Sequence, residues 1–340
     1  MNVGEYMAAT IKDVAKYTGL SIATISKFIN GGNVLEKNRM VIEEAIKTLD
    51  FKVNELARGL KTSKTKTIGI LIPSLENIFC TSVVSSIENI LLQYGYSTII
   101  CDYRDDAILE KKKLEFLMNK MVDGLIIMPL GENNGYIKEV SEKGIPIVSI
   151  DRILKSINCD MVLVDNLNAS YDAVEHLIVK GHKRIGIICG PEEVYTAQER
   201  LKGYLRVHED YSMEVDDQLI KHGDYKLESG YEILMEFLDM DNPPTAVYVT
   251  NYDMTLGAII AINEKNIVIP EELSIIGFDN LQMARIFKPA LSIVVQPMKE
   301  IGETAASVLL KRLAGDLSGF PHIDRLKAEV EFKDSVKALI

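Results

Sequence analysis

The stretch from Thr10 to Asn30 constrains this chain more than any other. Thr10 followed three residues later by Asp13 is a capping pair that starts a helix. That helix places Ile11, Val14 and Ala15 on one face. Gly19 supplies the left-handed turn that ends it, since glycine adopts positive φ without steric cost. Ser21 is placed to cap a second helix, whose Ile25, Phe28 and Ile29 face inward. Its outward residues are Ile22, Ala23, Thr24, Ser26 and Lys27. A short helix with such an exposed N-terminal end fits a DNA major groove. Two ordinary core helices joined by a tight turn would give the same periodicity, so amphipathicity alone does not decide.

The residues themselves carry more. Thr10-Ile11-Lys12-Asp13-Val14-Ala15, Gly19-Leu20-Ser21, Ala23-Thr24-Ile25-Ser26-Lys27 and Asn30 resemble the LacI/GalR family of bacterial transcription regulators. The resemblance continues in Asn54-Glu55-Leu56-Ala57-Arg58-Gly59-Leu60, which matches the family's hinge helix. It implies that Thr10, Ser21, Ile22, Ala23, Thr24, Ser26, Lys27, Asn30, Asn54 and Ala57 meet DNA, with Leu60 as a minor-groove wedge. Lys27 would donate to guanine O6/N7 or to phosphate. Gly59 and Val53 depart from the family's usual Ser and Pro, which suggests a hinge that is less helical when free. Lys61–Lys66 reads as a solvated linker.

A net charge of −11 speaks against nucleic acid, but its distribution matters more than its sum. Residues 1–67 hold 9 lysines and 2 arginines against 7 acids, about +4, which leaves about −15 for the remainder. A basic head on an acidic body suits a chain whose head alone meets phosphates. Residues 36–50 predict a third helix with Val41, Ala45, Ile46 and Leu49 as its apolar stripe. Leu35 stands where the family usually has a capping Ser.

From Thr67 apolar strands alternate with amphipathic helices, the mark of parallel α/β sheets. Ile68–Pro73, Ser97–Cys101, Gly124–Pro129 and Ile145–Ile150 read as strands. Helices fall near Thr81–Tyr94, Ala107–Met121 and Gly135–Lys143. The pattern then restarts, since Arg184–Cys189 echoes Thr67–Ile72 and Thr245–Thr250 echoes Gly124–Pro129. A recurrence at this spacing means two similar lobes. Further family matches include Arg200-Leu201-Lys202-Gly203-Tyr204, Ile269–Asn280 and Gln296-Pro297. The fold expected is an all-α helix-turn-helix headpiece over 9–53, a hinge and linker over 54–66, and a periplasmic-binding-protein-like α/β domain over 67–340. By resemblance the chain crosses three times between its parallel sheets. Lobe 1 is expected at about 67–165 and 295–320, and lobe 2 at about 166–294 and 321–340.

Open sheets bind ligands at the carboxyl ends of their strands. Asp279 and Asn251 follow strands and are expected to accept hydrogen bonds from sugar-like hydroxyls. Arg200 reads from spacing alone as a surface arginine; the resemblance makes it the effector's anchor, a guanidinium fork for paired hydroxyls or a carboxylate. Asp151 and Arg152 follow a strand near a crossover, where they either touch ligand or join the lobes. Ser74 and Phe79 lie in the stretch that departs most from the family; Ser74 stands where an acid is common, and Phe79 is placed to stack on a ring. A pocket that loses that anion and keeps two arginines would favour an acidic sugar derivative.

The expected function is a repressor of a carbohydrate-utilisation operon. It would bind pseudo-palindromic operator DNA as a homodimer and be controlled by a small sugar or sugar acid. The resemblance places dimer contacts around Ser82–Leu91 and Leu281–Phe287. A global regulator working with a protein co-regulator is the alternative within the family. A transport solute-binding protein shares the two lobes, but it predicts an export signal and no headpiece. An enzyme needs a nucleophile, metal or phosphate motif, and the sequence offers none. Four scattered cysteines read as buried thiols of a cytoplasmic protein, five scattered histidines have no ligand spacing, and no membrane span, metal or cofactor is expected.

Overall fold

A computed structural model describes residues 9–29, 31–52, 64–279 and 281–339. The chain divides into two units, Met1–Thr65 and Lys66–Ile340.

In the first unit, helices α1 (Ile11–Thr18), α2 (Ile22–Ile29) and α3 (Glu36–Thr48) enclose a small core. The Asp13 carboxylate accepts from the Thr10 backbone N–H at 2.8 Å and from its hydroxyl at 2.7 Å. These bonds hold the Asp13 carboxyl below the usual carboxylate range. Gly19 closes α1 at φ 68° and donates to the Ala15 carbonyl. Ser21 Oγ accepts from the Thr24 N–H at 3.2 Å and so starts α2. Val14, Ile25, Ile42 and Ala45 are fully buried, with Phe28, Ile29, Ile46 and Leu49 packed around them. Ile42 replaces the expected Val41, which is 40% exposed. One residue along a helix is a rotation of about 100°, and Ile42 shares its face with Ala45 and Ile46 at spacings of three and four. Leu35 gives α3 no side-chain cap.

The second unit contains two six-stranded sheets. The first has the order β11-β5-β4-β3-β1-β2, from β1 (Thr67–Ile72), β2 (Ser97–Asp102), β3 (Gly124–Ile127), β4 (Ile147–Ile150), β5 (Asp160–Val164) and β11 (Ile323–Leu326). The second has the order β12-β10-β9-β8-β6-β7, from β6 (Ile185–Cys189), β7 (Ile220–His222), β8 (Ala246–Val249), β9 (Ser274–Phe278), β10 (Ser292–Val295) and β12 (Glu329–Glu331). All pairings are parallel except β10 with β12. Side chains alternate between faces: Ile68, Ile70 and Ile72 enter one apolar layer and Leu71 the other, as strands covered on both sides require.

Helices α4 (Ile78–Gln93), α5 (Ala107–Asn119) and α6 (Gly135–Ser141) belong to lobe 1. Lobe 2 carries α7 (Asn166–Val179), α8 (Tyr195–Asp210), α9 (Leu227–Leu238), α10 (Tyr252–Glu264) and α11 (Leu281–Ile286). Helix α12 (Met298–Leu313) returns to lobe 1, where it packs on α4 and on β3, β4 and β5. The chain crosses after β5, after β10 and after β11. The last crossing corrects the expected boundary at residue 321. Residues 323–326 still belong to lobe 1, because β11 completes the open edge of β5. Asp160 anchors that return: it takes Arg312 in a bidentate pair at 2.8 and 2.9 Å and accepts from the His322 N–H. Only then does the tail reach lobe 2, through β12 and the bond from Ser335 Oγ to the Ile275 carbonyl.

All four cysteines are buried and unpaired. Among the described residues no helix is long and apolar enough to cross a membrane.

Candidate functional site

A cavity of about 390 Å³ is lined by strand ends of both lobes. Ser74, Phe79, Asp151, Arg152, Arg200, Asn251 and Asp279, named from widely separated stretches of sequence, all line it. Ser74 follows β1, Asp151 and Arg152 follow β4, Asn251 follows β8 and Asp279 follows β9. These are carboxyl ends of parallel strands, where the sheet's own bonding stops and loops present side chains. Asp151 and Arg152 therefore line the cavity at the place where the lobes meet.

Arg200 is the most constrained member. Its Nε donates to Asn166 Oδ1 at 2.8 Å and Nη1 to the Thr250 carbonyl at 2.6 Å. The guanidinium lies 3.8 Å from the centre of the Phe278 ring. Two hydrogen bonds and a stacking face fix its plane, so the side chain is oriented before any ligand arrives. The surface-arginine reading fails, since Arg200 is 5% exposed.

Gln296 Nε2 donates to both carboxylate oxygens of Asp279, at 2.9 and 3.1 Å. Burial raises the Asp279 carboxyl to about 6, while Arg200 and Gln296 oppose the shift. Burial likewise pushes Asp151 up, against the pull of Arg152 and Arg200. Arg152 Nη1 donates to the Pro129 carbonyl at 3.2 Å, and its Nε lies 3.7 Å from Asp151 Oδ2, beyond hydrogen-bond reach. Asp151 and Asp279 adopt left-handed backbone, with φ of 66° and 62°. Such conformations are costly away from glycine and gather where side chains must be aimed.

Three details refine the expected site. Asn251 Oδ1 accepts from the Met254 N–H at 2.9 Å and caps α10. Its oxygen keeps a second lone pair, the acceptor expected there, and its NH2 group adds a donor. Secondly, the anion missing at Ser74 is not missing from the pocket. Glu76, Asp105, Asp151, Asp224, Glu228, Asp253 and Asp279 line it against Arg152, Arg200 and Lys226. The premise for an acidic ligand fails on that balance. Thirdly, Tyr225 and Gln296 line the cavity without having been assigned a role there. Tyr225 has φ of 66° and closes over Gly190, where a Cβ would lie 2.1 Å from its ring. Gln296 could have been found from the crossover it marks; Tyr225 follows a three-residue strand too short to show a pattern.

In the first unit, Ser21, Ile22, Ala23 and Lys27 are exposed along α2, with Thr24 and Ser26 half-buried. Thr10 is exposed, but its hydroxyl proton is committed to Asp13, so it can offer a partner only an acceptor. Gly32 donates to the Lys27 carbonyl at 2.8 Å, and a Cβ there would lie 2.7 Å from Lys27 Cγ. Only glycine fits beneath that lysine stem. Asn30, Asn54, Ala57 and Leu60 lie outside the described residues.

Comparison with known proteins matches both units. Residues 10–54 fit the model of bacterial regulatory proteins of the lacI family. Residues 65–335 fit that of periplasmic binding proteins and the sugar binding domain of the LacI family. The chain is 34% identical to catabolite control protein A of Priestia megaterium, over 97% of this chain and 100% of that one. It is 37% identical to the transcriptional repressor PurR of Proteus mirabilis, over 90% of each. The Lac repressor dimer bound to operator and the anti-inducer ONPF superposes with a TM-score of 0.88 at 25% identity, covering 97% of this chain and 99% of that one.

Proposed function

The chain belongs to the LacI family of DNA-binding transcriptional repressors, and we propose that a small sugar bound between its lobes sets its affinity for an operator. The observation that carries this reading is the convergence of Arg200, Asp279, Asn251, Asp151 and Arg152 on one cavity between two sheets. Fixed donors and acceptors of both kinds suit a ligand rich in hydroxyls. Phe79 and Tyr225 add the aromatic surface on which a sugar ring packs.

A ligand that touches both lobes favours one lobe angle over another, and a differential of roughly 1–3 kcal/mol makes a useful switch. Two copies would place two α2 helices on a pseudo-palindromic site. The two copies would pair around Ser82–Leu91 and Leu281–Phe287, where Ile286 on α11 is more than 60% exposed. The regulated genes would be those of carbohydrate use.

The test is fluorescence anisotropy on palindromic sites enriched from a random DNA pool, repeated with a panel of sugars. Tight, salt-sensitive binding altered by one sugar is expected. Specific binding that no sugar changes would refute the sugar-sensing half, and absence of specific binding at low salt would refute the whole.

A further inference from the structure

We infer that the cleft takes an uncharged, polyhydroxylated ligand and turns away phosphorylated and carboxylated ones, through a carboxylate rim around a charge-balanced interior. This rests on the cleft being the effector site.

The charges of the cavity fall into two layers. Asp151, Arg152, Arg200 and Asp279 are each less than 9% exposed, and their charges cancel. Toward solvent, Glu76, Asp105, Asp224 and Glu228 are exposed and Asp253 is half-buried. Lys226 is the one cation among the exposed residues of this lining, and its Nζ lies 3.4 Å from Asp224. The rim thus carries a net −4 around an interior of zero. An anion must pass within a screening length of several carboxylates, whereas a neutral ligand meets no such barrier.

The interior gives an independent reason. Arg152 Nε and Gln296 Oε1 are buried without a hydrogen-bond partner among the described residues, in side chains whose residues are 8% and 4% exposed. Both residues line the cavity. One atom needs an acceptor and the other a donor. A hydroxyl seated against them would supply both, while a carboxylate or a phosphate dianion at that position supplies acceptors only and would set another lone pair against Gln296 Oε1. The Asp151 and Asp279 carboxylates ask for donors as well.

The first test needs no knowledge of the natural ligand. Inorganic phosphate is titrated into the full-length protein and into the triple variant E76Q/D105N/E228Q, with chloride at matched ionic strength as reference, and the melting temperature is followed. Phosphate should stabilise the variant, whose arginines are no longer screened by the rim, more than the wild type. Equal shifts in both, or none in either, would overturn the filter. The second test compares each sugar that binds with its 6-phosphate and its uronic acid by calorimetry. The charged forms should bind at least about tenfold more weakly to the wild type, and the gap should narrow in the variant. A phosphate or uronate that binds as tightly as its parent overturns the filter and leaves the effector reading intact. Failure of every sugar would count against the effector reading, with the phosphate titration still deciding on the filter.

Discussion

The two units solve opposite problems. The first relies on four fully buried side chains, Val14, Ile25, Ile42 and Ala45, and leaves Tyr17, Leu35 and Met40 at least half exposed. The second buries nearly every residue of its central strands between two helical layers. Burial per residue rises with domain size, so a unit of this small size is marginal by itself, while the larger one holds a preformed cavity. In the proposed function, reading DNA falls to the unit that gains stability from its partner, and sensing a ligand to the one rigid enough to aim Arg200.

The largest effect expected from this contrast is that of Ile25→Ala. Emptying one of four core positions costs about 2–5 kcal/mol, comparable with the whole stability of so small a unit. DNA binding should be lost in anisotropy while calorimetry shows sugar binding unchanged; retained DNA affinity would break the contrast. Next comes Arg200→Lys, which removes the planar fork and strands Asn166 Oδ1 and the Thr250 carbonyl. Sugar affinity should fall about a hundredfold, roughly 3 kcal/mol, with DNA binding of the ligand-free protein intact.

A smaller effect concerns pH. With its carboxyl raised to about 6, Asp279 holds a proton in the folded state that it would lose near the ordinary carboxylate value when unfolded. Its contribution to stability is therefore fully present below that ordinary value and is lost as pH rises through about 6. A hydroxyl donating to Asp279 prefers the ionised form, so sugar affinity should rise between pH 5 and 7, by at most about tenfold per unit. Asp279→Asn should flatten the profile, and a slope that survives it would assign the titration elsewhere. The smallest change is Leu35→Ser, which restores the cap α3 lacks. It should stabilise the first unit by about 1 kcal/mol, visible as a higher melting temperature of that unit and no change in sugar affinity.

What could be read in advance follows from how local each signal is. Thr10, Asp13, Gly19 and Ser21 act within a few residues of themselves, and α1 and α2 form where those residues place them. Met40-Val41-Ile42 is a run of three apolar residues, so periodicity could not say which one turns inward; packing against Val14 and Ile25 decided for Ile42. Strands β1, β3 and β4 are covered on both faces and announce themselves as apolar runs. Edge strands do not: β7 reads Ile-Lys-His and β11 reads Ile-Asp-Arg-Leu, and the lobe boundary was misplaced for that reason. The cleft was legible where side chains follow a recognisable strand. Its rim was not, because five carboxylates, three on loops and two at the starts of α9 and α10, converge only in three dimensions.

The central claim is that cleft and operator are coupled, and coupling must be reciprocal. The most direct measurement is therefore calorimetric titration of the active sugar into the full-length protein, once free and once saturated with operator. The account predicts that operator changes the sugar's affinity by the same factor, in the same direction, as the sugar changes the operator's. Identical sugar affinities in the two titrations would contradict it.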